Sequence, residues 1–173
     1  MKKIALLLLI LLTGCTSAAK EDYYKLSIDG YSVTVGYDNG EFMKIAYKYD
    51  IKDELAENEV VKDVNIYLND ELLGVGDFTN YKKKAINSDK AVLTKLTLYL
   101  NDMKDRTYKL NDEPLDSSIK ASCDKYNGTY IEKNGYACVI QTEVDKQLNV
   151  IELYGDYLNI DQDQLDHIVI YVE

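Results

Sequence analysis

Two stretches of this chain, 72 residues apart, carry one pattern, and that repetition constrains the fold more than any other feature. Asn87, Asp89, Leu93 and Tyr99 recur as Asn159, Asp161, Leu165 and Tyr171, and three further apolar positions between them agree. The same offset lays Val64, Ile66 and Leu68 on Tyr136, Cys138 and Ile140. Both triplets have the spacing of a strand with one apolar face. Upstream, Tyr24-Lys25-Leu26 matches Tyr108-Lys109-Leu110 at an offset of 84. Three blocks in the same order describe two tandem units, 23–100 and 108–173, joined by the polar link Asn101 to Thr107.

Each unit opens with a short strand or hairpin. In the first, Leu26 to Ile28 turns at Asp29-Gly30 into Val33 to Val35. A helix is expected next. Asp38 reads as its N-cap, with Glu41 three residues on, and Phe42, Ile45, Ala46 and Tyr49 share one face. The alternation of Met43, Ile45, Tyr47, Tyr49 and Ile51 fits a strand equally, so both periods stay open here. In the second unit Asp116 is the expected N-cap. Ile119, Cys123 and Tyr126 follow at helical spacing, and Asn127-Gly128 ends the helix. Three strands follow in each unit, at 61–68, 71–78 and 92–100, then at 136–142, 149–155 and 167–172. Lys52 to Glu59 reads as a polar loop. The expected fold class is α+β: two tandem helix-plus-antiparallel-strand (αβββ-like) units packed as one domain, with both helices on one face of a shared sheet. This order of elements resembles the tandem αβββ plan of the β-lactamase inhibitor protein family and of small lipoproteins of outer-membrane barrel assembly. Those families act by binding other proteins, and the likeness is one of element order alone.

The N-terminus carries a different message. Met1-Lys2-Lys3 precedes an apolar run from Ile4 to Leu12, then Thr13-Gly14-Cys15. Basic residues, a short apolar core and small residues before a cut site make a secretory signal peptide. The run is too short to span a bilayer, which takes roughly 20 residues. Leu12-Thr13-Gly14-Cys15 resembles the lipobox of bacterial lipoproteins. That resemblance implies cleavage before Cys15 and a diacylglyceryl group, with acyl chains such as palmitate, on its thiol. Residues 1–14 are then the signal peptide, and 15–22 the lipidated cysteine and a tether. One acyl chain anchors only marginally, whereas two hold stably. The implied location is the extracytoplasmic face of a cell membrane.

Cleavage leaves 159 of the 173 residues, enough for one domain of ordinary size. The two signal lysines gone, 18 basic residues face 30 acidic ones, a formal charge of −12. A surface of that sign is repelled by nucleic acid and by anionic lipid heads, which excludes nucleic acid as a partner. Arg106 is the only arginine, Pro114 the only proline, Trp is absent and Tyr occurs 16 times. With abundant Lys, Asn and Ile, this composition matches an AT-rich coding bias and points to a low-GC Gram-positive source.

Chemistry-bearing motifs are few. Cys123 and Cys138 are both expected to face inward, the first on the helix and the second on the strand it covers. A disulfide between them would close a loop of 15 residues in an oxidising compartment, against the alternative of two buried thiols. His167 is the only histidine and lies on the strand face opposite Ile168 and Ile170, which reads as solvated surface rather than a catalytic base. Asn159, Asp161 and Asp163 occupy positions 1, 3 and 5 of an EF-hand-like loop. Position 6 is Gln164 and position 12 is Ile170, so a turn with Asp161 capping a helix is the better reading than a calcium site. Lys82-Lys83-Lys84 reads as a solvated loop. No zinc-ligand cluster, phosphate loop or nucleophile elbow is present, and no cofactor is expected. The expected function is therefore non-catalytic: a membrane-anchored lipoprotein whose ectodomain binds a protein or an envelope component such as the cell wall. The alternative is a carboxylate-based cell-wall glycan enzyme or a sensor domain.

Overall fold

The computed structural model describes residues 24–36, 47–100, 105–131, 137–144, 146–155 and 163–173. Three antiparallel sheets account for most of them. Strands β5 (Val60–Leu68), β6 (Glu71–Thr79) and β8 (Val92–Tyr99) join β12 (Ala137–Val144), β13 (Gln147–Gly155) and β14 (Leu165–Val172) in an eight-stranded sheet. Its edges are β11 (Thr129–Ile131) and β3 (Tyr47–Tyr49), in the order β11-β12-β13-β14-β8-β6-β5-β3. A second sheet has the order β10-β9-β1-β2, from β1 (Lys25–Ile28), β2 (Tyr31–Thr34), β9 (Tyr108–Leu110) and β10 (Glu113–Pro114). A short pair of β4 (Glu54–Leu55) with β7 (Ile86–Asn87) completes the set.

Residues matched by the sequence offsets meet at the centre of each large layer. In the eight-stranded sheet Thr97 lies opposite Val169, with Leu96 opposite Ile170 and Leu98 opposite Ile168 on either side. In the four-stranded sheet Leu26 lies opposite Leu110. Each register relates its two strands by an approximate two-fold axis, so the hairpins β5-β6 and β12-β13 hang on opposite sides of the β8–β14 pair.

Alternation explains the layering. Leu96, Leu98, Ile151, Leu153, Ile168 and Ile170 are buried on one face of the large sheet, as are Val64, Ile66, Leu68, Cys138 and Ile140. Leu26 and Leu110 of the small sheet, with Leu115, meet Ile151, Leu153, Ile168 and Ile170 in one apolar seam. Each Leu or Ile fully buried there contributes about 1.5–3 kcal/mol. Arg106 ties the layers at one corner. Its Nη1 donates to Asp29 Oδ2 at 2.6 Å and its Nη2 to Glu71 Oε2, while Asp29 Oδ1 accepts the Thr107 N–H at 2.9 Å.

This architecture corrects the expected α+β fold of tandem αβββ units: the chain is mostly β. Among the described residues the one α-helix is α1 (Ile119–Lys125), seven residues long. Of the helix expected in the first unit, Asp38 to Ala46 lies outside the described residues. Tyr49 belongs to β3, where buried Tyr47 and Tyr49 flank exposed Lys48, a period of two. The free backbone of β5 supplies hydrogen-bond partners that the helical reading leaves unused, and pairing there decides between the two periods. The hairpins expected merely to precede helices pair with each other instead, and that second sheet covers the seam assigned to helices. Without an αβββ plan, the likeness to the β-lactamase inhibitor protein family loses its basis. The expected loop at Lys52 to Glu59 also holds strand β4, because Leu55, the one large apolar side chain of that run, is fully buried.

The cap of helix α1 lies two residues after the expected Asp116. Ser118 is the N-cap, its Oγ accepting the Ala121 N–H at 3.1 Å, and Asp116 Oδ1 accepts the Ser118 N–H at 2.8 Å. At the other end Asn127 takes a left-handed φ of 53°, and the Gly128 N–H reaches the Cys123 carbonyl at 2.8 Å, a Schellman closure. Cys123 and Cys138 form a disulfide with a Cα separation of 5.6 Å, pinning α1 to β12. Gly128 lies against both sulfurs, where a Cβ would collide with Cys138 Sγ and come within 2.9 Å of Ile140 Cγ1.

Candidate binding face

The face of the eight-stranded sheet turned away from the small sheet carries exposed Tyr99 with half-buried Tyr67, Tyr154 and Tyr171. Because Leu98, Leu153 and Ile168 point into the core, their neighbours Tyr99, Tyr154 and His167 point out. Register aligns these three across adjacent strands, Tyr154 opposite His167 and His167 opposite Tyr99. The rings of Tyr154 and His167 stack at 4.6 Å with an interplanar angle of 11°. His167 Nδ1 lies 2.8 Å from Asp166 Oδ2, and Tyr99 is 44 % exposed.

Four residues along β14 the motif recurs in altered form. Tyr171 lies opposite Lys95, and the 72-residue match equates Tyr171 with Tyr99 and Lys95 with His167. The approximate two-fold thus places a tyrosine beside a basic side chain at each end of the β8–β14 pair. Between them Glu152 accepts hydrogen bonds from Tyr154 Oη at 2.7 Å and Tyr171 Oη at 3.1 Å. Burial pushes both phenols up, reinforced by Glu152, and for Tyr154 the rise goes well beyond the ordinary phenol range. Both hydroxyls therefore remain neutral donors at physiological pH. The floor is apolar: Val150 is only 1 % exposed, Val169 is also buried, and neither belongs to the main core.

A groove of about 510 Å³ opens beside this cluster. Asp77 of β6, Lys95 of β8, Val169 and Tyr171 of β14, Glu152 of β13 and Glu173 line it. Asp77 Oδ1 accepts the N–H of Asp63, a residue with a left-handed φ of 53° at a bulge in β5. Thr94 Oγ1 donates to the Asp77 carbonyl at 3.1 Å. A second cavity of about 520 Å³ lies at the corner where the link enters β9, between Arg106, Tyr108, Leu115 and Gln164. There the Arg106 guanidinium is already held by two carboxylates and its side chain is 11 % exposed.

The residues singled out from sequence fall in different places. Cys15, Asn159 and Asp161 lie outside the described residues. Asp163 serves α1: its Oδ2 accepts Ser118 Oγ–H at 2.6 Å and its Oδ1 the Lys120 N–H at 2.9 Å. Among the described residues no group of three or more His, Cys, Asp or Glu side chains is placed to hold a metal ion. Lys82, Lys83 and Lys84 are exposed. They follow Asn80, a fully buried side chain that bonds the carbonyls of Ala56 and Lys84 and the Lys82 N–H. His167 lies on the outer face but half-buried in a stack rather than free in solvent. Glu152 and Tyr154 escaped the sequence reading. Their signal was the alternation of Val150, Glu152 and Tyr154 with Ile151 and Leu153. No family model, no curated protein and no solved structure gives a significant match to the chain.

Proposed function

We propose that the chain is a lipoprotein anchored through Cys15 on the extracytoplasmic face of a cell membrane, and that its domain is a non-catalytic binding module for a protein or envelope component. The observation that carries the binding role is the aligned row Tyr99, His167 and Tyr154 beside an open groove. Amphipathic rings fixed on a rigid sheet present contact area at little entropic cost, as recognition surfaces do. The best-placed carboxylate, Glu152, is engaged as an acceptor for two phenols, a positioning role. The anchor draws support from residues 1–15 and from the Cys123–Cys138 disulfide, a bond that persists in oxidising compartments. Among the described residues no helix is long and apolar enough to cross a membrane. Two variants of the full chain test the two halves of this reading. Cys15→Ser should leave the membrane fraction after a high-salt wash, and its retention there would refute the anchor. Tyr99→Ala with Tyr171→Ala should keep the fold by circular dichroism yet lose capture of envelope components. Undiminished capture would refute the binding face.

A further inference from the structure

We infer that the groove beside Tyr171 takes an organic cation, the lysine or arginine side chain of an extended peptide segment in a protein partner. This rests on the outer sheet face being the binding face. Charge complementarity carries it. Asp77, Glu152 and Glu173 line the groove against one ammonium, that of Lys95, and the whole chain has a formal charge of −10. Two of these carboxylates are held in place, Asp77 by the Asp63 N–H and Glu152 by two phenols, so the negative charge is pre-positioned. The Tyr171 ring and Val169 add a π face and an apolar floor, the pairing that accepts the stem and head of a long basic side chain. The chain already shows this chemistry on the same sheet face, where Lys48 Nζ lies 5.8 Å from the Tyr67 ring centre and Tyr67 Oη bonds Asp50 at 2.8 Å. The groove crosses β6, β8, β14 and β13, a width of roughly 14 Å at the usual strand spacing, which suits a segment lying across the strands.

The test titrates the full chain with acetylated tetralysine amide and follows the Tyr ring protons by NMR at two salt concentrations. Binding should weaken as salt rises. Glu152→Gln and Glu173→Gln should each weaken it about two- to fivefold, Tyr171→Ala by a similar factor, and Lys95→Gln should tighten it. Glu173→Gln, at the rim, guards against a folding defect in Glu152→Gln. Asp112→Asn, on the small sheet, should leave binding unchanged. Equal loss in Asp112→Asn, or no shift of any outer-face ring, would overturn the cation site. If tetralysine fails while envelope capture still depends on Tyr99 and Tyr171, the cation chemistry is wrong and the binding face stands. If capture is also independent of those tyrosines, both fall.

Discussion

Thr97 and Val169 lie directly opposite each other at the centre of the eight-stranded sheet, and they are the same position of the repeated pattern. Leu26 and Leu110 do the same in the small sheet. Two layers, each centred on a pair of matched residues, let one pattern of alternation build both sides of the core.

The central pairs should behave alike. Leu96 and Ile170 are cross-strand neighbours, each about 1 % exposed. Leu96→Ala and Ile170→Ala should each cost about 2–5 kcal/mol in urea unfolding. The double variant should depart from additivity by at least about 0.5 kcal/mol, because the two side chains share one contact. Additive losses would mean that the strands are not paired in this register.

Reduction offers a second check. The Cys123–Cys138 bridge spans 15 residues, and in the loop-entropy model it stabilises the fold by about 3 kcal/mol. Paired denaturant curves with and without reductant should differ by that order, with the Cys123→Ser, Cys138→Ser double variant matching the reduced protein. Superimposable curves would show that α1 does not depend on its covalent pin.

Alkaline pH should destabilise the protein before its buried phenols titrate. Burial raises Tyr108 to about 12, and it raises Tyr47, Tyr49 and Tyr154 beyond that. The native state favours the neutral phenol, so its contribution is full below the unfolded value near 10 and is lost as pH rises from there through the native value. Stability should be flat in this respect up to about pH 10 and fall steeply towards pH 12. Absorbance at the phenolate band should rise late and together with loss of circular dichroism. An early rise for all tyrosines with the fold intact would contradict the burial.

Much of the large sheet was legible in sequence because Leu96, Leu98, Ile168 and Ile170 alternate cleanly, and a half-buried strand leaves no other signature. The second layer was not. Leu26 and Leu110 stand 84 residues apart, and nothing local announces that their hairpins pair. Residues 43–51 satisfy two periods at once, and only the open edge of β5 decides for a strand at Tyr47 to Tyr49. The polar contacts were hidden for the same reason. Arg106 finds partners 77 and 35 residues away, and Glu152 becomes an acceptor for Tyr171 only once β14 lies beside β13. Tyr99 and His167 were visible as strand residues, but the row they form with Tyr154 is a property of register.

The most direct test of the binding face places a photo-crosslinking amino acid at Thr97, the centre of the outer surface, and at Glu113, exposed on the small sheet. Irradiation of cells carrying each full-length variant should yield a discrete adduct from position 97 and none from position 113. Adducts from position 113 alone, or equal labelling at both, would contradict the assignment of the tyrosine-lined sheet face as the surface through which this protein acts.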